Sequence, residues 1–539
     1  MTSTVGAAES LALGHAALAR ADWAEARARF EEAAAVDDHP GAWEGISRAA
    51  WWTDDQEATF AARERAYRGY RQSGDVCGAA RMAMWTASDH LDYRGDDAVA
   101  EAWLQRGRAL LAGHPPCSEL GFIMLLEADI ALLATGDPVG AERRAREALE
   151  LARDTGEVDV EAVALAILGS ALIASGSVAE GLESLDECAS LAVGEEFGDT
   201  ASPGWALCHT VSGCAQAGDL GRAEQWCRAL HSWSATWRAR HFFGICRTAY
   251  GGVLTTRGEW PLAEEELSTA MEDLRTTRPA LAAPTAVRLG ELRARQGRID
   301  DARALFESGL PLPHAVVGLG ELDLQAGDAA SAAEAAERVL RNLGQSSVLD
   351  RLPALELLAR ARATGGEADA AHAALEQMQE EGLATPYMRG RVRLVRAEVL
   401  AMAGDSDGAR QAAEDALDLF AGCSAPYEAA RARLLLARAL DALGRPERAA
   451  AEGRAAVEAL ELLGAPAAGH VDLKPVDGLS PREVDILRMV ATGMSDARIA
   501  ERLFLSPHTV HRHVANVRAK LRVPSRAAAV AQANELGLL

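Results

Sequence analysis

The 539-residue sequence predicts an all-α chain: a long α-solenoid of stacked helical hairpins, then a small four-helix unit of helix-turn-helix type. Three observations carry this expectation. A turn phrase recurs through residues 1–464 at a nearly constant period. The residues after 478 abandon that period for short amphipathic segments, each opened by a cap. Charge divides at the same place: from Asp472 onward ten Lys/Arg face seven Asp/Glu, a net of +3, which leaves −27 for residues 1–471 of a chain at −24.

The recurring phrase is an apolar helix, then Gly-Asp or a close variant, then a short step to an alanine that opens a second helix. It is found at Ala21-Asp22-Trp23 and at Gly95, Gly136, Gly176, Gly218, Gly258, Gly297, Gly327, Gly366, Gly404 and Gly444. From Gly95 onward the intervals are 41, 40, 42, 40, 39, 30, 39, 38 and 40 residues, so one supersecondary unit is being stacked. Segments such as Ala141–Ala152 place small and apolar residues on one stripe and charges outside it. The turn glycine permits the tight backbone between antiparallel helices. Stacked hairpins form a curved solenoid whose concave surface suits a peptide, a partner domain or a small molecule.

All eleven tryptophans precede residue 261. The stretch from Trp205 to Tyr250 gathers tryptophans with histidines and cysteines, which singles out Trp205, Trp226, His231, Trp233, Trp237 and His241 as lining for a ligand or partner pocket. Ordinary packing between hairpins is the competing reading of the same stretch.

Composition excludes several chemistries. Only Lys474 and Lys520 are lysines, and neither follows a glycine-rich turn, so a phosphate-binding loop of Walker A type and most Schiff-base chemistry are excluded. The eight cysteines form no Cys-x-x-Cys pair, and no metal or other cofactor is expected. No nucleophile motif stands out, so the chain is expected not to be an enzyme. No apolar run approaches 18 residues and no leader pattern opens the chain, which points to a soluble, reduced, cytoplasmic protein away from membranes.

The segment from Leu479 to Leu539 is punctuated by caps. Ser480-Pro481-Arg482-Glu483 sets a cap serine, a proline at the first helical position and a glutamate placed to bond back. Ser495 opens a second helix after Gly493, Ser506-Pro507 a third, and Ser525 a fourth after Pro524. On the third helix Val510, His513, Val514, Val517 and Leu521 share an arc of roughly 100°, a core stripe. His508, Arg512, Ala515 and Ala519 occupy the opposite pole, with His511, Arg518 and Arg522 beside them. Two alanines flanking an arginine let the backbone approach a groove while the guanidinium fork reaches a guanine, the commonest specific base contact. Arg512 is therefore the candidate base reader, with His508 and His511 as neighbours. His513, at the edge of the buried arc, reads as a packed histidine. The three histidines diverge around one helix and do not form a metal cluster.

This segment resembles the LuxR/GerE-type helix-turn-helix domain, matching at Leu479, Arg482-Glu483, Leu487, Val490-Ala491, Gly493, Ser495, Ile499-Ala500, Leu503, Ser506, Thr509-Val510, His513, Asn516 and Lys520-Leu521. The resemblance implies a bacterial transcription regulator that binds double-stranded DNA as a homodimer on a two-fold site, with the fourth helix pairing subunits and RNA polymerase as a partner. It implies that Thr509, Val510 and His511 lie against DNA and that Lys520 is similar to a phosphate-contacting lysine. Together with the helix geometry, the expected DNA contacts are Ser506, His508, Thr509, Val510, His511, Arg512, Asn516, Arg518 and Lys520. One departure stands out: the family's usual lysine after Thr-Val is His511, and a histidine carries little positive charge above pH 7. The repeats resemble tetratricopeptide repeats in their alanine positions, with a longer period and few of the aromatic positions. Long-helix variants of such repeats stand beside LuxR-type readers in large bacterial regulators, often with an ATPase module that these residues lack.

The expected organisation is a repeat solenoid over 1–464 that senses or docks an unknown ligand or protein, a flexible linker over 465–478, and the DNA-binding domain over 479–539. The competing class is a protein-interaction scaffold whose helix-turn-helix domain serves mainly protein contacts.

Overall fold

The computed structural model describes residues 2–194, 197–237, 240–344, 348–378, 383, 385–466, 481–503, 507–521, 523 and 525–535. Among the described residues there is no strand, and the helices from Thr2–Leu18 to Pro446–Leu463 pair as twelve antiparallel hairpins. Every hairpin turns through a residue of positive φ: Ala21 at 57°, Asp54 at 59°, and a glycine in each of the other ten, from Gly95 to Gly444. The sequence phrase missed the second hairpin, Pro40–Trp52 with Gln56–Ser73, because its turn carries Asp54 where ten of the other eleven carry glycine. Aspartate tolerates the left-handed region better than most residues. Here its carboxylate is also held by Arg278 at 2.8 Å.

The aspartate of the recurring phrase caps the second helix. Asp22, Asp137, Asp328 and Asp405 accept from the backbone N–H three residues on, at 3.2, 2.9, 3.0 and 2.9 Å. Glycine therefore makes the turn and aspartate satisfies an N–H that the new helix leaves open. Within a hairpin, the alanines close the seam. Ala26, Ala302 and Ala416 are each followed four residues on by a buried phenylalanine, Phe30, Phe306 and Phe420. Their rings rest on Gly14 and Gly45, Gly290 and Gly318, and Gly390, where a methyl group would meet ring carbons at 2.5 to 2.8 Å. The aromatic position that the sequence shows in few repeats is thus an occupied socket in three of them.

The hairpins wind into a superhelix whose successive turns touch. Gly95, in the turn of the third hairpin, faces Ala280 at the entry to the eighth. Gly176 in the fifth faces Val348 at the start of the tenth, Gly218 in the sixth faces Tyr387 of the eleventh, and Gly258 in the seventh faces Pro426 of the twelfth. Side chains lock this register: Thr385 Oγ1 donates to the Ala217 carbonyl at 2.5 Å across 168 residues, and Gln216 Nε2 donates to Asp350 at 2.8 Å. Helix Val158–Ala174, caught between neighbours on all sides, is buried around its whole circumference, as its uniformly apolar sequence requires.

The same rule corrects the start of the expected linker. Gly297, in the eighth turn, packs on Pro466, where a thirteenth hairpin would begin, and Ala465 is buried. Gly464 caps the last helix at φ 76°, and the Ala465 N–H returns to the Leu460 carbonyl at 2.9 Å. Residues 465 and 466 therefore belong to the solenoid. The remainder of the linker, 467–478, lies outside the described residues.

The C-terminal domain has four helices, Pro481–Ala491, Asp496–Leu503, Pro507–Lys520 and Arg526–Glu535. Two small clusters hold them. Leu487, Val517, Ala529 and Ala533 join the first, third and fourth, while Ile486, Val490, Ile499, Ala500 and Val510 join the first three.

Candidate nucleic-acid interface

The third C-terminal helix is positioned by what it buries. Val510 and Val517 are fully buried, and Val514 packs beside them. Rotation by the helical period then turns His511, Arg512, Ala515, Asn516 and Lys520 outward, where all five are exposed. Arg518 and His513 are half-buried on the flanks. The core stripe thus falls where the 100° spacing places it, as do Arg512 and Ala515 of the outward pole, while the side chain of Ala519 lies outside the described residues.

One expected DNA contact is corrected. Val510 has no exposed surface and seals the cluster with Ile486 and Ile499, so its side chain belongs to the core and not to the groove-facing surface. The side chains of Ser506, His508 and Thr509 lie outside the described residues, as do Ser480 and the Phe504-Leu505 turn.

The cap serines seen in the structure act as expected: Ser495 Oγ accepts from the Arg498 N–H at 3.4 Å and Ser525 Oγ from the Ala528 N–H at 3.0 Å. Gly493 at φ 81° lets Met494 fold back to the Met489 carbonyl at 3.2 Å.

Sequence reasoning missed the ionic fastener of this domain. Arg526 pairs with Asp496 and donates to the Met494 carbonyl at 2.6 Å, tying the fourth helix to the start of the second. His511 Nδ1 stands 3.5 Å from the same Asp496 carboxylate. Asp496 therefore sets both the docking of the fourth helix and the electrostatic surroundings of the position that departs from the family lysine. Its place directly after a cap serine, on the first turn of a helix, was the available signal.

In the repeat region, the structure divides the aromatic candidates. Trp226, Trp233 and Trp237 pack on one core cluster with Trp23 and Trp52. Trp237 lies 6.3 Å from Trp23, and Trp233 lies 6.3 Å from Trp52, which itself stacks on Trp23 at 4.7 Å. These rings join the sixth hairpin to the first two, one superhelical turn away. Trp205 stands apart among Leu120, Phe122 and Leu165, His231 is exposed, and the His241 side chain lies outside the described residues. Beside this belt a polar knot is closed off from water. Arg278, fully buried, donates to Asp54 at 2.8 Å and the Trp51 carbonyl at 3.4 Å, and its guanidinium lies 3.7 Å over the Tyr93 ring. Arg63 and Asp89, both buried, form an ion pair next to it.

A second feature was not read from the sequence. The first helices of the last five hairpins carry a ladder of ion pairs from one hairpin to another. Glu321 meets Arg360 at 2.6 Å, Arg360 meets Glu398 at 2.6 Å, and Glu398 meets Arg431 at 2.8 Å. Arg391 meets Glu356 at 2.7 Å, and Arg295 meets Glu428 at 2.6 Å. Burial works against ionisation of Glu398, yet Arg360 and Arg431 hold its carboxyl below the usual range. Burial, with Glu428 nearby, pushes the Tyr387 hydroxyl up to about 12. Burial and then Arg288 lower His314 to about 4. The partners recur 39, 38 and 33 residues apart, so opposite charges spaced close to the repeat period on successive first helices were the overlooked signal.

These features define an α-solenoid joined to a helix-turn-helix unit. The model for bacterial regulatory proteins of the luxR family matches residues 477–533, and that for the tetratricopeptide repeat matches 283–308, 390–415 and 430–452. The C-terminal domain is a LuxR-family helix-turn-helix domain, and the region before it contains tetratricopeptide repeats. The chain is 49% identical over 60 residues to the nitrate/nitrite response regulator protein homolog of Haemophilus influenzae, covering 11% of this chain and 28% of that one. It is 44% identical over 61 residues to the HTH-type quorum sensing-dependent transcriptional regulator VjbR of Brucella ovis, covering 11% and 24%. The match therefore spans less than a third of the length of these relatives. Among solved structures, the hetero-tetramer Cut9-Hcn1 aligns with 97% of this chain and 95% of its own at a TM-score of 0.43 and 14% identity. The apo form of the quorum sensor NprR from B. thuringiensis aligns with 62% and 97% at 0.39 and 14%. Among the described residues no helix is long and apolar enough to cross a membrane.

Proposed function

We propose that this chain is a cytoplasmic, non-enzymatic transcription regulator: its C-terminal domain reads the major groove of promoter DNA, and its solenoid sets when it does so. The observation that carries the reading is the outward pole of helix Pro507–Lys520, where Arg512 and Ala515 stand exposed on the side opposite the buried Val510 and Val517. Such a helix presents a guanidinium fork with little steric cover, the geometry for guanine recognition. Lys520 and Arg518, toward the helix end, supply phosphate attraction. The regulators of Haemophilus influenzae and Brucella ovis share this segment and support the reading.

Dimerisation on a two-fold site follows from the fourth helix. Ala527 and Ala531, one turn apart, form an exposed small-residue face opposite the buried Ala529 and Ala533. A second copy can approach closely there and place two reading helices one DNA turn apart. RNA polymerase is the proposed downstream partner. For the solenoid, the partly exposed ion-pair ladder offers a ligand or partner alternating charge rather than an oily groove. Selection of duplex DNA from a random pool by the intact chain tests the reading: a two-fold motif is expected, and Arg512→Ala should lose preference at one base pair per half-site.

A further inference from the structure

The eight cysteines form no Cys-x-x-Cys pair. His114-Pro-Pro-Cys117 has the same chelating interval with one donor exchanged, and the fold brings a third donor to it. Cys77 is the second residue of helix Val76–Asp89, and Cys117 is the residue before helix Ser118–Leu133. The Cys77 Sγ, Cys117 Sγ and a His114 ring nitrogen all lie within 4.8 Å of one another.

We propose that Cys77, His114 and Cys117 form a binding site for a thiophilic d10 cation, Zn2+ or Cu+. Zinc holds sulfur at about 2.3 Å and imidazole nitrogen at about 2.0–2.1 Å, so the edges of a tetrahedral site run about 3.5 Å for S to N and about 3.8 Å for S to S. The Cys77 Sγ to His114 Nε2 separation is 3.5 Å. The other ring nitrogen is already employed: Nδ1 lies 2.8 Å from the Pro115 carbonyl and donates to it, which fixes the tautomer and turns the Nε2 lone pair toward the sulfurs. That outer hydrogen bond is the usual support of a metal-binding histidine. Two successive prolines, Pro115 and Pro116, stiffen the chelate loop between the donors. The carboxylates nearest in sequence are engaged elsewhere, Asp75 by the Gly78 N–H at 2.8 Å and Glu119 by Arg81 at 2.6 Å, so the protein supplies three donors and a fourth position stays open for water or a further ligand. Cys77 and Cys117 are half-buried and His114 is exposed, so a cation reaches the site from solvent without unfolding. A bound cation would staple the start of the third hairpin to the loop before the fourth and fix the angle between them.

The test uses the full-length chain, reduced and stripped with a chelator, titrated with Co2+ as a coloured stand-in for Zn2+. One Co2+ per chain should bind with sulfur-to-cobalt charge-transfer absorption, and Zn2+ should abolish that absorption by displacement. Competition with bicinchoninate for Cu+ reads the second cation and decides which of the two the site prefers. His114→Gln changes an exposed residue and should weaken binding by more than about tenfold. Cys117→Ser should remove the charge-transfer band, while Cys423→Ser should leave both intact. The proposal is overturned if neither cation binds. Charge-transfer binding that survives both His114→Gln and Cys117→Ser also overturns it, as does a Cys77–Cys117 disulfide in the reduced preparation.

Discussion

The solenoid and the C-terminal domain use arginine in opposite ways. In the solenoid, arginines are spent on the protein itself: Arg278 is sealed between superhelical turns, Arg63 is buried against Asp89, and Arg360 bridges two glutamates on neighbouring helices. On the third helix of the C-terminal domain, Arg512 and Lys520 face solvent, and the folding of that helix rests on Val510 and Val517 instead. The difference teaches that charge type alone does not separate a structural cation from a recognition cation; the surroundings do. An acidic body with internal pairing repels phosphate, whereas a short basic helix on a small apolar core presents its charge outward.

The contrast can be broken at its strongest point by Arg278→Ala. Removing one member of a buried charged network costs about 3–5 kcal/mol, so the thermal midpoint should fall sharply. Intrinsic DNA affinity of the separate C-terminal domain, which does not contain this residue, gives the baseline. Phe306→Ala should cost a similar amount, about 3–5 kcal/mol, by emptying the socket over Gly290 and Gly318. An unchanged midpoint in either variant would contradict the packing described. Arg512→Ala should do the reverse: a stability change within about 0.5 kcal/mol, but a loss of about 1–3 kcal/mol in binding to the preferred duplex, measured by titration at fixed salt.

Smaller effects sharpen the comparison. Burial, with Asp89 and Asp129 adding to it against the pull of Arg278, pushes the Asp92 carboxyl up to about 7. An unfolded aspartate titrates near about 3.9. Between those values the folded chain keeps a proton that the unfolded chain releases, so this group's contribution to stability is full at low pH and is lost as pH rises toward 7. Asp92→Asn should raise the thermal midpoint at pH 8 relative to the parent and show no such gain near pH 4. His314 runs the other way: lowered to about 4 by burial and Arg288, it favours the folded state above about 6.5, and that contribution is lost as pH falls toward 4. His314→Gln should flatten that acid limb in the same midpoint series. Asp405→Ala should cost about 1 kcal/mol by uncapping helix Ser406–Gly422.

The smallest expected difference concerns control. If the solenoid, at −27, holds the basic reader by electrostatics, residues 466–539 alone should bind DNA more tightly than the full chain at low salt. The gap should close as salt rises, because exposed charges are screened. Equal affinity across the salt series would remove electrostatic restraint from the account.

Much of this was legible in the sequence for definite reasons. Periodic glycines mark turns because each needs positive φ, and cap serines mark helix starts because the hydroxyl satisfies an open N–H, as at Ser495 and Ser525. The arc of valines on the third helix gave its buried face, and with it the exposure of Arg512. What escaped depends on partners distant in the chain. Asp54 could be seen as a turn only with Arg278, 224 residues away, holding it. Pro466 reads as linker until Gly297 is seen beneath it. Val510, placed by the residues in the core and by family resemblance against DNA, was settled by its burial. The metal-site donors are separated by both helices of the third hairpin, and their convergence is a property of the hairpin stack.

The most direct test of the central claim is selection of duplex DNA by the purified intact chain, run in parallel with Arg512→Ala under the same salt. The account predicts an enriched two-fold sequence for the parent and loss of preference at one symmetric pair of positions in the variant. Recovery of an unenriched pool by the parent, or of the same motif by both proteins, would contradict it.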